Sequence, residues 1–330
     1  MRAVIVSEPG GPENLRVEER PDPPRAGDAE IVIRVAAAGV NRADLLQRMG
    51  RYPPPPGASD ILGLEASGVV ESAGGEVAGL AAGDRVMALL EGGGYAELVA
   101  VRARQAVRVP DTIDLIDAGG IPEVFITAHD ALFTRGRLQH GETVLIHGGG
   151  GGVGTAAVQL ARHHGCRVLV TAGSEGKIAR CVELGADAGI NYRTDDFVAR
   201  TRELTDGRGA DVVIDIMGAS YLGRNLEAVA TDGRIIVLGM LGGTHSDIDI
   251  GAMMRRRVSL ISTVLRARPA DQKAAIVAAF AADVVPGIAD RTLHPVIDRV
   301  LTFDQASDAH RQMEAGEAFG KILLVPAARA

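Results

Sequence analysis

Val144-Leu-Ile-His-Gly-Gly-Gly-Gly-Gly-Val-Gly154 is the stretch that decides the fold of this chain. Its apolar start predicts a buried strand, and the residues that follow Gly154 favour a helix. Gly149, Gly151 and Gly154 fit the spacing G-x-G-x-x-G, which provides a tight turn, close approach of the backbone to a pyrophosphate, and close packing of helix on strand. Five consecutive glycines, 148–152, can meet that spacing by chance, so a flexible loop is the alternative. The strand–loop–helix setting favours a dinucleotide site.

The sequence around this loop alternates between strands and helices. From about residue 142 to residue 265, apolar runs are separated by helical segments such as Gly154–His164 and Ala219–Ala230. This alternation predicts an α/β domain with a doubly wound parallel sheet, the Rossmann type. The predicted strands are Thr143–His147, Arg167–Thr171, Ala188–Asn191, Val212–Ile216, Arg234–Leu238 and Leu260–Val264.

The first 120 residues are rich in short strands separated by Gly, Pro and Asp turns, a pattern that predicts a partly closed β-barrel. The predicted strands here are Ala3–Val6, Glu30–Ala36, Gly68–Ser72, Arg85–Ala88 and Glu97–Ala100. After Pro269 we expect a helix, a strand, a helix and a strand, in the order Asp271–Ala281, Val296–Leu301, Phe303–Ala315 and Lys321–Val325. That segment is too short to fold alone. With 330 residues predicting about two domains, we expect a discontinuous domain, 1–124 with 267–330, around a Rossmann domain, 125–266.

The end of the second Rossmann strand indicates which nucleotide binds. NAD sites carry an acidic residue there, which accepts from the ribose 2′-hydroxyl. Here Gly173 and Ser174 follow the strand, and Lys177 lies one helical turn further on. A hydroxyl and a cation suit a 2′-phosphate, so the prediction is NADPH, although Glu175 argues against it and Lys177 has the alternative of an exposed helix lysine. Tyr192, at the end of the third strand, is predicted beside the same phosphate or in simple packing.

Charge and composition exclude several classes of protein. The formal net charge is −7, and the dense basic run Arg255–Arg257 is interpreted as a solvated helix end, so no nucleic-acid partner is expected. Two cysteines, Cys166 and Cys181, are too few for a disulfide scaffold, which fits a reducing compartment. The N-terminus lacks an apolar signal core, and no window offers the roughly 18 apolar residues of a membrane span. We expect a cytoplasmic protein with no membrane partner.

Three blocks near the N-terminus resemble a known family. They read Asn41-Arg-Ala-Asp-Leu-Leu-Gln47, Gly50-Arg-Tyr-Pro-Pro-Pro-Pro-Gly57 and Leu62-Gly-Leu-Glu-Ala-Ser-Gly68. The chain resembles the zinc-independent quinone oxidoreductases, in the zeta-crystallin-like branch of the medium-chain dehydrogenase/reductase superfamily. It looks most like the subgroup typified by the vertebrate tumour-suppressor-inducible quinone oxidoreductase. The likeness runs from end to end and includes Gly10–Leu15, Ile121–Glu123, Gly154–Ala157 and Gly320–Lys321.

This resemblance implies a GroES-like domain around a Rossmann domain, with NADPH between them and a homodimer formed by the edge strand Ser259–Val264. It implies that Ser174, Lys177 and Tyr192 hold the adenosine phosphate. The other residues implied at the cofactor are Asn41, Thr127, Gly149, Gly150, Gly151, Gly152, Val153, Gly154, Gly173, Gly239, Met240 and Leu241. Family members often have a serine where this chain has Gly151, so backbone N–H groups are left to bind the phosphate there.

The first domain lacks the ligands of a zinc site. No cysteine or histidine precedes His129, and the stretch Glu91–Arg104 has no cysteine, whereas a tetrahedral zinc site needs nitrogen or sulfur ligands. His163 and His164 are interpreted as surface residues. Alkoxide formation from an alcohol then has no obvious stabiliser. Quinones and activated alkenes, which accept a hydride more readily, remain as expected substrates.

Tyr52 is the candidate for substrate contact or proton donation, with Asn41 and Asp44 lining the active site. For Tyr52 the alternative is packing against the proline run, and for Asp44 it is capping the helix that Asn41 opens. Glu65 is either a supporting residue of the site or purely structural.

Two other functions remain open from the sequence. An NADPH-dependent enoyl or alkenal reductase would use the same cofactor and also a tyrosine. An NADPH-binding structural, regulatory or RNA-binding protein is the second, although the sequence offers no basic and aromatic surface for nucleic acid.

Overall fold

The computed structural model describes residues 1–23 and 26–326, which form two compact units. One unit comprises Met1–Ile126 with the chain from Leu265 onward, and the other is Thr127–Val264. Among the described residues, no helix is long and apolar enough to cross a membrane.

The N-terminal segment is mostly strands with short helices. Its strands are β1 (Arg2–Val6), β2 (Leu15–Glu19), β3 (Glu30–Gly39), β4 (Glu65–Ala73), β5 (Arg85–Leu89), β6 (Leu98–Arg102) and β7 (Ala106–Arg108). Its helices are α1 (Arg42–Arg48), α2 (Leu115–Ala118) and α3 (Pro122–His129), the last followed by a π-helical stretch over Asp130–Arg135.

Strands and helices alternate through the central segment. The strands are β8 (Thr143–His147), β9 (Arg167–Ala172), β10 (Ala188–Asn191), β11 (Ala210–Asp215), β12 (Val229–Val237) and β13 (Ser259–Ser262). The helices are α4 (Gly152–His163), α5 (Glu175–Glu183), α6 (Phe197–Leu204), α7 (Ala219–Ala228) and α8 (Ile250–Arg256). The C-terminal segment adds α9 (Ala270–Asp283), α10 (Val285–Ala289), β14 (Ile297–Thr302), α11 (Ala306–Ala315) and β15 (Lys321–Val325).

The six central strands form one parallel sheet in the order β10-β9-β8-β11-β12-β13. Every residue of β8 is buried, as expected for a central strand whose two faces are both covered by helices. The order of the strands reverses between β8 and β11, and in sheets of this type ligands bind outside the carboxyl ends of the strands at that point. The predicted Rossmann sheet is thus confirmed, and its reversal point coincides with the glycine loop after β8.

The other unit is built on a mainly antiparallel sheet with the order β14-β15-β3-β4-β5-β7, in which β14 and β15 pair in parallel. The ten-residue β3 pairs along one edge with β4, and along the other edge with β6 and then with β15 at Ala38 and Gly39. The C-terminal strand therefore completes a sheet that the N-terminal segment begins. Branched side chains from these strands form a hydrophobic core, which includes Ile31, Ile33, Val35, Val70, Val86 and Val99.

Several element bounds differ from the sequence predictions. Strands β2 and β7 were not predicted, and β11 ends at Asp215 instead of Ile216. The predicted helix Phe303–Ala315 begins with a 3₁₀ turn over Phe303–Gln305, because the Thr302 N–H is capped by Gln305 Oε1 at 3.0 Å. Within the basic run, Arg257 pairs with Asp232 instead of pointing only into solvent.

Candidate functional site

The glycine loop connects the end of β8 to the start of α4. A Cβ on Gly154 would lie inside van der Waals contact with Gly148 O and 2.8 Å from Gly149 Cα, and one on Gly149 would lie 2.8 Å from Val170 Cβ. Only glycine fits at these two positions. Gly151 is exposed, has an ordinary extended φ of −82°, and would place a Cβ no closer than 3.4 Å to Gly148 O. The loop is therefore held tightly at Gly149 and Gly154 and is open at Gly151.

This geometry suits a pyrophosphate. The first N–H groups of α4, from Gly152 onward, have no partner within their own helix, and the positive end of the helix dipole lies there. The predicted cradle, Gly149–Gly154, thus lies between a strand end and a helix N-terminus, the usual anion site of this sheet type.

A buried polar network lies under the glycine loop. Asn225 Nδ2 donates to Asp215 at 3.0 Å, so its Oδ1 accepts from His147 Nε2 at 2.8 Å. His147 Nδ1 then accepts from Thr171 Oγ1 at 3.1 Å. Burial lowers the pKa of His147 from 6.5 to about 4, which keeps the ring neutral and fits the single tautomer that these partners require. Sequence reasoning missed this network.

The predicted adenosine end lies beyond β9 and β10. Ser174 caps α5, and its Oγ accepts from the Lys177 N–H at 3.4 Å. Tyr192, with 44% of its surface exposed, extends its hydroxyl over Gly173, where a Cβ would lie 2.6 Å from Tyr192 Oη. The structure therefore brings the predicted residues Gly173, Ser174, Lys177 and Tyr192 to the carboxyl ends of two adjacent strands.

Glu175, which argued against NADPH, has a partner in this region. One of its carboxylate oxygens accepts from Asn191 Nδ2 at 2.9 Å. The side chain is exposed, but the hydrogen bond holds it against the end of β10. The Glu175 carboxylate is therefore engaged by an amide donor of the protein as well as by solvent.

The loop after β12 packs on the end of β11. A Cβ on Gly239 would lie 2.6 Å from Ile216 O, and Leu241 N donates to the same carbonyl at 3.3 Å. Met240 and Leu241 are 59% and 47% exposed. Thr127, also predicted at the cofactor, is half-buried on α3.

Asn41 and Glu65 belong to a buried ionic cluster with Lys321. The Lys321 ammonium contacts Glu65 Oε1 at 2.7 Å, Asn41 Oδ1 at 2.7 Å and Val40 O at 2.8 Å. Asn41 Nδ2 donates to Glu65 Oε1 at 2.9 Å and to Gly39 O at 3.2 Å. Because both amide hydrogens of Asn41 are used, its side chain can offer a ligand only the remaining lone pair of Oδ1.

Asp44 is fully buried and accepts three hydrogen bonds from within its own unit. The donors are Asn41 N at 2.8 Å, Gly63 N at 3.2 Å and Tyr95 Oη at 3.0 Å. Burial raises the pKa of Asp44 from 3.8 to about 6, against the opposing effect of these donors. This placement matches the capping alternative for Asp44 and leaves no exposed surface for substrate contact.

A chain of buried hydrogen bonds leads from Arg48 through His310 and Tyr95 to Asp44. Arg48 can only donate, so His310 Nδ1 accepts from its Nη1 at 3.3 Å, and His310 Nε2–H points to Tyr95 Oη at 3.4 Å. Burial and then the Arg48 charge lower the pKa of His310 to about 3. Arg48 in turn pairs with Glu314 on α11. The chain links α1, α11 and the β5–β6 connection, and it orients the carboxylate that caps Asn41.

Tyr52 lies near Arg266 and Glu123. The Arg266 guanidinium lies 5.3 Å from the Tyr52 ring centroid and its Nη1 donates to Tyr52 O at 3.4 Å. Arg266 is 5% exposed, and its Nη2 is buried without a hydrogen-bond partner among the described residues. Burial first, and then the Glu123 charge, raise the pKa of Tyr52, so the phenol keeps its proton at neutral pH.

Glu123 was not predicted as a site residue, although it ends the Ile121–Glu123 block. Burial first, and then the charge of Glu65, raise the pKa of Glu123 from 4.5 to about 8. Its carboxyl therefore holds a proton at neutral pH and is a hydrogen-bond donor. Only the fold could reveal this, because Glu65 lies in β4 and Glu123 in α3.

Comparison with known proteins places the chain in a family. It matches the zinc-binding dehydrogenase family over residues 152–282 and the alcohol dehydrogenase GroES-like domain over residues 27–111. It is 31% identical to the quinone oxidoreductase of Rattus norvegicus over 98% of both chains. It is 33% identical to a phenolphthiocerol/phthiocerol polyketide synthase polypeptide of Mycobacterium tuberculosis, over 97% of this chain and 14% of that protein. The structure of the Escherichia coli quinone oxidoreductase complexed with NADPH matches with a TM-score of 0.87 and 28% identity, covering 99% of this chain and 100% of that one.

The chain belongs to the medium-chain dehydrogenase/reductase superfamily, in its quinone-oxidoreductase-like branch. It is an oxidoreductase. The predicted combination of a GroES-like domain with a Rossmann sheet is confirmed by both family matches.

The zinc named in one family description does not fit this oxidoreductase. Among residues 1–23 and 26–326, no group of three or more His, Cys, Asp and Glu side chains could hold a metal ion. The positive charge beside Glu65 is supplied by Lys321, whose three contacts leave it no free hydrogen for a further acceptor. No step of the proposed chemistry therefore uses a metal.

Proposed function

We propose that this oxidoreductase uses NADPH to reduce quinones and is closest to the tumour-suppressor-inducible subgroup. The observation that carries the cofactor assignment is the gathering of Ser174, Lys177 and Tyr192 at the ends of β9 and β10, beside a loop that requires glycine at positions 149 and 154. Relatives named quinone oxidoreductase, matched over 98% of both chains, support the substrate class.

The residues divide into three proposed groups. The loop Gly149–Gly154 binds the pyrophosphate, and Gly173, Ser174, Lys177 and Tyr192 bind the 2′-phosphate. Asn41, Thr127 and the segment Gly239–Leu241 lie at the nicotinamide. Asp44 and Lys321 position Asn41, because the carboxylate accepts from its N–H and the ammonium fixes its Oδ1.

Bound NADPH supplies the hydride for the reaction. Tyr52 contacts the acceptor and donates a hydrogen bond to the oxygen that gains negative charge, since its raised pKa keeps the phenol protonated. A phenolate product is much more stable than an alkoxide, so orientation of the acceptor is the main contribution of the protein.

A panel of acceptors tests this proposal. NADPH oxidation is measured with 1,2-naphthoquinone and with a crotonyl thioester, using the wild type, Lys177→Ala and Tyr52→Phe. Lys177→Ala should raise the KM for NADPH about tenfold and narrow the preference over NADH. Tyr52→Phe should lower kcat for the quinone about tenfold, which is about 1.4 kcal/mol of transition-state stabilisation.

Tyr221→Phe is the matched control, because it removes a phenol hydroxyl from a ring that stacks on Phe197. It should leave both constants unchanged. An unaltered NADPH/NADH ratio in Lys177→Ala would contradict the phosphate assignment. An unaltered kcat in Tyr52→Phe would contradict the role of the tyrosine.

An enoyl reductase is the second candidate function. The polyketide synthase relative, matched over 97% of this chain, favours it. Faster turnover of the crotonyl thioester than of the quinone would select this alternative.

We also propose a homodimer formed through β13. This strand ends the parallel sheet, so one of its edges is unpaired within the described chain, and Leu260 and Val264 beside that edge are exposed. Light scattering should give twice the monomer mass for the wild type, and Ser262→Pro should give a monomer because proline removes an edge N–H.

A further inference from the structure

A second cation lies at the adenosine end of the Rossmann unit. Arg193 directly follows Tyr192 and is exposed. Its Nε lies 3.4 Å from the position that a Cβ on Gly173 would take, on the same residue that the Tyr192 hydroxyl covers. Arg193 therefore lies over the first residue after β9, where ribose recognition takes place in sheets of this type.

The Arg193 guanidinium has no ion-pair partner within residues 1–23 and 26–326. Nearby arginines differ in this respect: Arg200 pairs with Glu203, and Arg224 pairs with Asp196. An arginine that is already paired would need to break that contact before it could bind a ligand. A phosphate can pair with the Arg193 guanidinium without the breaking of an existing ion pair.

Asn191 fixes the position of Arg193. This residue is 8% exposed, and its Oδ1 accepts from the Arg193 N–H at 3.2 Å. The Asn191 carbonyl accepts from Asp195 N at 2.8 Å, which turns the chain back towards α6. The backbone of Arg193 is thus held in a turn by the Asn191 side chain, a role that Asn and Asp side chains commonly play.

The same amide binds the carboxylate that would oppose a phosphate. Asn191 Nδ2 donates to Glu175 Oε1 at 2.9 Å while Oδ1 holds Arg193. A free acidic residue beside the ribose would favour the 2′-hydroxyl of NADH and repel a 2′-phosphate. The Asn191 side chain therefore both fixes the backbone of Arg193 and hydrogen-bonds the Glu175 carboxylate.

We propose that Arg193 is a specificity-determining residue that binds the 2′-phosphate of NADPH together with Lys177, and that Asn191 is its positioning residue. This inference rests on the proposed NADPH function. The phosphate carries close to two negative charges and three acceptor oxygens, so one ammonium group leaves charge and acceptors for a guanidinium. Lys177 on α5 and Arg193 in the turn after β10 would contact the phosphate from two directions.

Calorimetry on the full chain tests the role of Arg193 with two probes. Adenosine 2′,5′-bisphosphate carries the 2′-phosphate, and ADP lacks it. Arg193→Ala should weaken binding of the bisphosphate about tenfold and leave ADP within about twofold. Arg193→Lys should keep most of the affinity, because it retains the charge. The loss in Arg193→Ala should shrink at higher salt, since exposed charges are screened.

Arg167→Ala is the matched control. Arg167 is also exposed but begins β9, so it lies at the amino-terminal end of the strand that Gly173 follows. It removes the same charge, and it should change binding of neither probe.

The outcomes separate this inference from the proposed function. If Lys177→Ala weakens the bisphosphate and Arg193→Ala does not, the role of Arg193 is overturned and the NADPH assignment stands. An equal loss for ADP and the bisphosphate in Arg193→Ala also overturns it, because the contact would then lie elsewhere on the nucleotide. If the wild type binds NADPH no more tightly than NADH, which differs from it only in lacking the 2′-phosphate, the NADPH assignment is overturned, and the role of Arg193 with it.

Discussion

Replacing Gly154 by alanine is the sharpest test of the glycine loop. The new Cβ would lie 2.8 Å from Gly149 Cα and closer still to Gly148 O, and both are backbone atoms. Carbon atoms pack at about 3.5–4.0 Å, so the loop must move by at least about 0.7 Å. Side chains cannot relieve this overlap by choosing another rotamer.

The expected cost has two parts. Overpacking a buried site costs about 1–3 kcal/mol, and alanine returns at most about 1 kcal/mol of helix propensity over glycine. Gly154→Ala should therefore lower the free energy of unfolding by about 1–2 kcal/mol. Because the displaced backbone is the proposed pyrophosphate site, the Kd for NADPH should rise at least about tenfold.

Gly151→Ser is the matched variant in the same loop. Gly151 is exposed at the N-cap of α4 with a φ of −82°, and its Cβ would meet Gly148 O only at 3.4 Å. Serine is a favoured N-cap residue and gains a few tenths of a kcal/mol over glycine. Urea unfolding and a fluorescence titration with NADPH measure both variants. Unchanged stability and unchanged affinity in Gly154→Ala would refute the close approach of Gly148 and Gly154.

Three further predictions concern buried polar groups. The pKa of His147 is about 4 in the folded protein and 6.5 in the unfolded chain. In the wild type its contribution to the free energy of unfolding therefore falls by about 3 kcal/mol from pH 6.5 down to about 4, and is constant above 6.5. His147→Gln should remove this loss of stability at low pH. Lys321→Met should cost about 3–5 kcal/mol in urea unfolding, because it leaves Glu65 buried and unpaired. Tyr95→Phe should raise the pKa of Asp44 above its value of about 6, read from the carboxyl signal in infrared or NMR titration.

Each of these predictions has a result that contradicts it. A His147→Gln protein whose pH profile runs parallel to that of the wild type would mean that the histidine does not titrate on unfolding. If the double variant Lys321→Met/Glu65→Gln is no more stable than Lys321→Met alone, the charges of Lys321 and Glu65 are not coupled. An unmoved Asp44 titration in Tyr95→Phe would place the tyrosine hydroxyl elsewhere.

The sequence predicted the parallel sheet better than the antiparallel one. Strands β8 and β10 have the predicted bounds, because each is a short apolar run that ends at a glycine loop or a polar turn. Strand β7 has three residues and none of them is buried, so it has no hydrophobic pattern to detect. Strand β12 begins five residues before its predicted start at Arg234, because it runs through the polar pair Asp232-Gly233, which carries no hydrophobic pattern.

Within the candidate site, local motifs could be predicted and distant partners could not. The glycine spacing and Lys177 are visible in a few consecutive residues. The ring of His147 needs Thr171 and Asn225 as partners, and its position at the end of an apolar strand gave no signal of either. Arg193 was passed over because its proximity to Gly173 depends on how β9 and β10 pair.

The charge balance of the Asn41 cluster bears on the class of acceptor. At neutral pH Lys321 neutralises Glu65, while Glu123, whose pKa is about 8, keeps its proton. Tyr52, with its raised pKa, keeps its proton as well. Uncharged O–H donors near the Arg266 cation favour a substrate whose oxygen becomes negative during the reaction, because such donors stabilise an oxyanion more than a neutral carbonyl. A quinone gains that charge when it accepts a hydride, and so does the carbonyl oxygen of a conjugated enoyl or alkenal acceptor, so these electrostatics fit both proposed functions.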